Sequence, residues 1–208
     1  MIGAKKEIRT RKGFTLVEAL IVLMTFGILM SLISDIFVRT TSFGRQIAMR
    51  AKLQADARNA LEAIARAVRV SDIDYGSWGG ALPVQPNSEL RLINPVTGLK
   101  SIIKVSSTDT DCYSDGISKP CIVVSTDNGL NWTPLSPKGA SIDPTNGLFF
   151  YVSPSTDPFL YNGDTGTYAS DNQPVVTAVM TIHGIANRPQ DAWDFTLQTT
   201  MTPRLYLR

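Results

Sequence analysis

The feature that most constrains this chain is a predominantly apolar stretch from Phe14 to Ile33, preceded by a basic segment ending in Arg11-Lys12-Gly13. About twenty such residues are enough to cross a bilayer as a helix. One carboxylate, Glu18, interrupts the stretch close to its start. An acid carried into the hydrocarbon costs roughly 2.5–3.5 kcal/mol on insertion scales. Any fold built on this segment therefore has to give Glu18 a partner.

Charge is distributed to match. The chain of 208 residues has a formal charge of +2, but Lys5, Lys6, Arg9, Arg11 and Lys12 against Glu7 give the first thirteen residues +4. The remainder holds 15 basic and 17 acidic residues, a net −2. That near-neutral remainder argues against nucleic acid as an electrostatic partner, since such binding needs many phosphate contacts. A secretory signal would need a shorter apolar core and a small-residue cleavage site, and Met30-Ser31-Leu32-Ile33-Ser34 fits that poorly. By the positive-inside rule the basic flank is cytoplasmic and the rest of the chain lies outside, in a single pass. An uncleaved anchor has the same topology, and hydropathy does not separate the two.

Gly13-Phe14-Thr15-Leu16-Val17-Glu18, with its basic leader and following hydrophobic helix, resembles the processing site of type IV prepilins and type II secretion pseudopilins. The resemblance covers roughly the first fifth of the chain. It implies cleavage after Gly13 by a separate prepilin peptidase and methylation of the new Phe14 amine. It further implies that Glu18 attracts the terminal amine of an incoming subunit during assembly. The bare residues agree with that role, because a paired intramembrane charge costs far less than a lone one. The helix dipole alone offers Glu18 only about 0.3–1 kcal/mol.

No proline occurs from Phe14 to Val70, and only Gly27 and Gly44 weaken a continuous helix. At 1.5 Å per residue such a helix would run on the order of 85 Å, more than twice a bilayer. Beyond Asp35 and Arg39 the pattern turns amphipathic, with Phe43, Ile47, Ala51, Ala57, Leu61, Ile64 and Val68 as the expected apolar stripe. From Ser71 onward, turn residues punctuate short β-branched runs. Expected strands are 89–93, 101–105, 121–125, 148–152, 175–183 and 193–201. In the last, Trp193, Phe195, Leu197, Thr199 and Met201 alternate with polar residues, so one face should bury against the helix stripe.

The expected fold class is thus α+β, a long helix packed on an antiparallel sheet, which the resemblance also implies. Its segments are a leader (1–13), a transmembrane half-helix (14–36), an amphipathic half-helix (37–71) and a β-rich head (72–208). The ending from Phe195 to Arg204 looks similar to the last strand of larger minor pilins and pseudopilins. Major pilins often place a disulfide near the C-terminus and kink the anchor with a proline. Here the cysteines are central and the anchor has Asp35 instead.

Few residues in the head suggest chemistry. Cys112 and Cys121 lie in a polar, turn-rich segment, and outside a membrane they read most simply as a disulfide, with two free thiols as the alternative. A zinc site would want more ligands than one histidine and two cysteines supply. Ser125-Thr126-Asp127-Asn128-Gly129-Leu130-Asn131-Trp132 resembles the Asp-box of sialidase-like propellers, but one copy reads as a turn rather than a glycan site. His183 has no partner motif and reads as a surface or edge residue. Asp157, Asn162, Asp164 and Thr165 do not follow EF-hand spacing and read as a solvated turn. No cofactor, metal or catalytic set is expected. The leading expectation is a non-enzymatic minor pilin or pseudopilin whose partners are the peptidase, sister subunits and lipid. The alternative is an anchored extracytoplasmic binding or glycan-active domain that never polymerises.

Overall fold

One helix, α1 (Leu16–Arg69), carries 54 residues without a proline. The computed structural model describes residues 13, 15–107, 112–114, 116, 118–138, 140–169, 172–184 and 193–203. Thr25 and Ser31 donate their hydroxyls to the carbonyls of Ile21, Val22 and Ile28 at 2.8–3.0 Å. These back-bonds satisfy the two hydroxyls inside the helix itself. Arg66 and Arg69 occupy the last turn, where cations oppose the helix dipole.

The chain divides into two compact units, Met1–Ala48 and Met49–Arg208. In the second, α1 buries Leu53, Ala57, Ala60, Leu61, Ile64, Ala65 and Val68. The expected stripe is therefore correct from Ala57 onward and wrong before it. Phe43 and Ile47 are 63% and 52% exposed, and Ala51 is exposed too. At 3.6 residues per turn Ala51 lies about 120° around the helix from Ala57, and Leu53 takes the buried position in its place.

After α1 come β1 (Asp72–Ile73), a 3-10 turn (Tyr75–Trp78), β2 (Glu89–Ile93), β3 (Lys100–Val105), β4 (Ile122–Ser125) and β5 (Thr133–Pro134). These strands form an antiparallel meander in chain order. A second sheet contains β6 (Ala140–Ser141), β7 (Leu148–Ser153), β10 (Val175–Gly184) and β11 (Trp193–Met201). Its centre is β10, which pairs antiparallel with β11 on one side and with β6 and β7 on the other. β8 (Tyr161–Asn162) and β9 (Thr167–Tyr168) make a separate hairpin. Where the sequence points to one antiparallel sheet, the described residues form two larger sheets and this hairpin, and the strands not foreseen are all two residues long.

Alternation decides which side chains face inward. In β10 Val176, Ala178, Met180 and Ile182 are fully buried, while the intervening residues are partly exposed. The register sets Ile182 opposite Phe195 and Met180 opposite both Leu197 and Leu148. These join Ile64 and Val68 of α1 and Leu90, Leu92, Ile103 and Ile122 of the first sheet in one core. The free side of β7 is closed by the segment before β2. Asn87 exchanges backbone bonds with Phe150, and the Gln85 amide pairs with both the N–H and the C=O of Val152. A side-chain amide thereby completes a ladder that would otherwise be an open edge.

Candidate functional site

The N-terminal junction is the first place where local structure meets expected function. Gly13 is exposed and precedes the helix. A Cβ there would meet nothing within 4 Å, and its φ is not positive. Neither crowding nor a left-handed backbone demands glycine at this position. Phe14, the expected cleavage partner and methylation site, lies outside the described residues.

Thr15 begins α1. Its hydroxyl accepts the Glu18 N–H at 3.2 Å, and its carbonyl accepts the Ala19 N–H at 3.1 Å. That places Thr15 at the N-cap and Glu18 three residues on, the spacing of a capping box. Sequence reasoning missed Thr15, although the signal, Thr-x-x-Glu before an apolar run, was present. Glu18 is exposed in the first helical turn, where a carboxylate faces the positive helix end. Among the described residues only its backbone N–H is held, by Thr15.

In the head, Cys112 and Cys121 are joined as a disulfide with their Cα atoms 6.5 Å apart. The bridge ties the connection between β3 and β4. The Ser106 hydroxyl sits 3.5 Å from both sulfurs and accepts the Cys121 N–H at 3.1 Å.

Asp127 organises the turn after β4. It accepts the N–H groups of Leu130 and Asn131 at 3.1 and 2.9 Å, the Asn131 amide at 2.6 Å and the Ser125 hydroxyl at 2.7 Å. These bonds, the Asn131 backbone one foremost, pull its carboxyl down to about 2. Asn128 and Gly129 take positive φ, 63° and 87°. The Trp132 ring packs near Gly129 and carries the Lys104 ammonium 4.6 Å from its centroid.

A second charged cluster lies at the 3-10 turn. The Lys100 ammonium is 2.7 Å from Asp74 and 2.9 Å from the Ser77 hydroxyl, which itself donates to Asp74. Burial would raise the Asp74 pKa, but bonds from Lys100 and Ser77 outweigh it and leave the carboxyl below its ordinary value.

His183 and Asp194 form a cross-strand pair, Nδ1 to Oδ1 at 2.7 Å, with no nucleophile in that pairing. Asp157 caps the Phe159 N–H, Asn162 caps the Asp164 N–H, and Thr165 bonds Thr167. These are turn-capping contacts. Among the described residues no three His, Cys, Asp or Glu side chains gather to hold a metal.

Residues 8–34 fit the model of the prokaryotic N-terminal methylation motif, the leader signature of type IV prepilin-like chains. Together with a long apolar helix and antiparallel sheets, the match defines a pilin-like layout and supports a type IV pilin-like precursor. It ends inside α1, a helix long and apolar enough by length and composition to cross a membrane. No curated protein and no solved structure matches the chain significantly.

Proposed function

We propose that this chain is a structural subunit, a minor pilin or pseudopilin, made as a membrane precursor and assembled through α1. The observation that carries the reading is the methylation motif at 8–34 running directly into the capped apolar helix. In this reading the basic leader holds the N-terminus at the cytoplasmic face, and a prepilin peptidase cuts after Gly13. The freed Phe14 amine is then methylated and becomes the cation that Glu18 requires. Polymerisation places apolar helices against one another and leaves the β-rich heads outside. The central disulfide and the proline-free anchor favour an accessory subunit over a bulk one.

Intact-mass analysis of the protein from its native host tests the processing step. The expected species begins at Phe14 and carries one added methyl group. A stable full-length chain would sink the proposal. Glu18→Ala tests assembly separately: the subunit should be cut yet fail to enter filaments. If the variant incorporates as well as wild type, the acid has no assembly role.

A further inference from the structure

Asparagine followed by glycine occurs three times in the head, at Asn128-Gly129, Asn146-Gly147 and Asn162-Gly163. Glycine leaves the following peptide nitrogen unhindered, so that nitrogen can reach the carbonyl carbon of the asparagine side chain. In an unfolded chain the three pairs are nearly equivalent. The fold makes them different.

Gly129 donates its N–H to the Ser125 hydroxyl at 2.8 Å, inside the turn that Asp127 organises. Gly147 donates to the Asp143 carbonyl at 2.8 Å and is packed so closely that a Cβ would lie 2.3 Å from Ile142. The Asn146 side-chain amide is engaged as well, by the Asp143 carboxylate. Gly163 has neither restraint. Its N–H makes no hydrogen bond among the described residues, and a Cβ there would meet nothing within 4 Å. Asn162 and Gly163 are both exposed, at the turn of the β8–β9 hairpin.

The Asn162 side chain is also set for attack. Its Oδ1 accepts the Asp164 N–H at 2.9 Å, an Asx-turn that folds the side-chain carbonyl back over the Gly163 peptide. Negative charge gathers on Oδ1 when a nucleophile adds to Cγ, so a donor already placed there binds more strongly as the addition proceeds.

We propose that Asn162 is a site of spontaneous deamidation, a covalent modification whose co-reactant is water. The Gly163 nitrogen gives its proton to hydroxide and bonds to Cγ; the Cγ–Nδ2 bond breaks, and Nδ2 leaves as ammonia. Water then opens the cyclic imide at either carbonyl and leaves an aspartyl or an isoaspartyl linkage. Water enters, ammonia departs, and nothing is oxidised or reduced. The turn gains a negative charge beside Asp164. The isoaspartyl product adds a backbone carbon to the residue that pairs with Thr167, which loosens the hairpin and the Tyr161–Tyr168 edge contact.

The test incubates the full chain in detergent micelles, in mildly alkaline buffer made with heavy-oxygen water, and follows each Asn-Gly pair by peptide mass mapping. Amide loss with uptake of solvent oxygen should run roughly tenfold or more faster at Asn162 than at Asn128 or Asn146. Gly163→Ala should slow it by roughly tenfold or more with unchanged thermal unfolding, since the added methyl meets no neighbour yet hinders the attacking nitrogen. In urea the wild-type rates should converge, and a preference for Asn162 that persisted there would overturn the role given to the fold. Equal native rates at the three pairs, faster loss at Asn128 or Asn146, or an unchanged rate in Gly163→Ala would each overturn the proposal. So would an intact Asn162 in native protein once the urea sample has lost its amides. None of these readouts depends on cleavage after Gly13 or on Glu18, so failure here and failure of the assembly reading are told apart.

Discussion

At the residue scale, the clearest lesson is how much one short side chain can organise. Asp127 satisfies the donors of a turn that no ladder reaches, and its carboxyl is held at about 2. The folded value lies below the ordinary carboxylate value of 3.8, so its stabilising contribution is complete above that value. It fades as pH falls toward the folded value. Between about pH 4 and 2, wild type should therefore lose more of its unfolding temperature than Asp127→Ala does. Parallel pH profiles in a thermal melt would assign the acid lability to other groups. This device could be read from the local Ser-x-Asp-x-Gly-x-x-Trp spacing, as the Thr15 cap could have been from Thr-x-x-Glu. The Asp74–Lys100 pair could not. Its members meet because β1, β2 and β3 stack in register, which no local pattern announces. Gly184 was likewise opaque. A Cβ there would lie 2.5 Å from the Trp193 ring facing it across the ladder. Gly184→Ala should cost about 1–3 kcal/mol through overpacking, measured by urea unfolding. A change below about 0.5 kcal/mol would mean the indole moves aside freely.

At the scale of elements, length and partner decide what sequence reveals. β10 and β11 alternate over nine or ten residues, and their faces were readable because one-sided burial imposes a period of two. Strands of two residues, such as β5 and β6, exist only through their partners and carry no pattern of their own. Within α1 the apolar spacing ran further toward the N-terminus than burial does. Periodicity records which face is apolar; it does not record where the covering surface stops. Ile64 and Ile47 separate the two ideas. Ile64 is fully buried, and Ile64→Ala should cost about 2–5 kcal/mol in chemical unfolding. Ile47 is 52% exposed, and Ile47→Ala should stay within about 0.5 kcal/mol in the unassembled protein. Equal losses at both positions would show that the buried face begins earlier than Leu53.

For the whole molecule, the buried residues and the membrane-compatible residues occupy different parts of one helix. Every core position of α1 lies at Leu53 or beyond, and the side chains from Leu16 to Val38 are exposed. The unit Met49–Arg208 contains both sheets, the disulfide and all of α1 that the core uses. Its stability should then owe nothing to residues 1–48. A chain beginning at Met49 keeps about six helical turns, and their apolar face buries against the sheets rather than relying on intrinsic helix propensity. It should fold as a soluble monomer with the disulfide formed. Its urea-unfolding free energy should match that of the full chain's head in detergent to within about 0.5 kcal/mol, after a small loss from fraying at the new helix start. An unfolded or aggregated fragment would overturn this, because it would mean that the first unit supplies core contacts to the second. The separation also bears on function. On the proposed reading, a head that folds alone would let α1 pass from lipid to a bundle of sister helices without disturbing the β-sheet core.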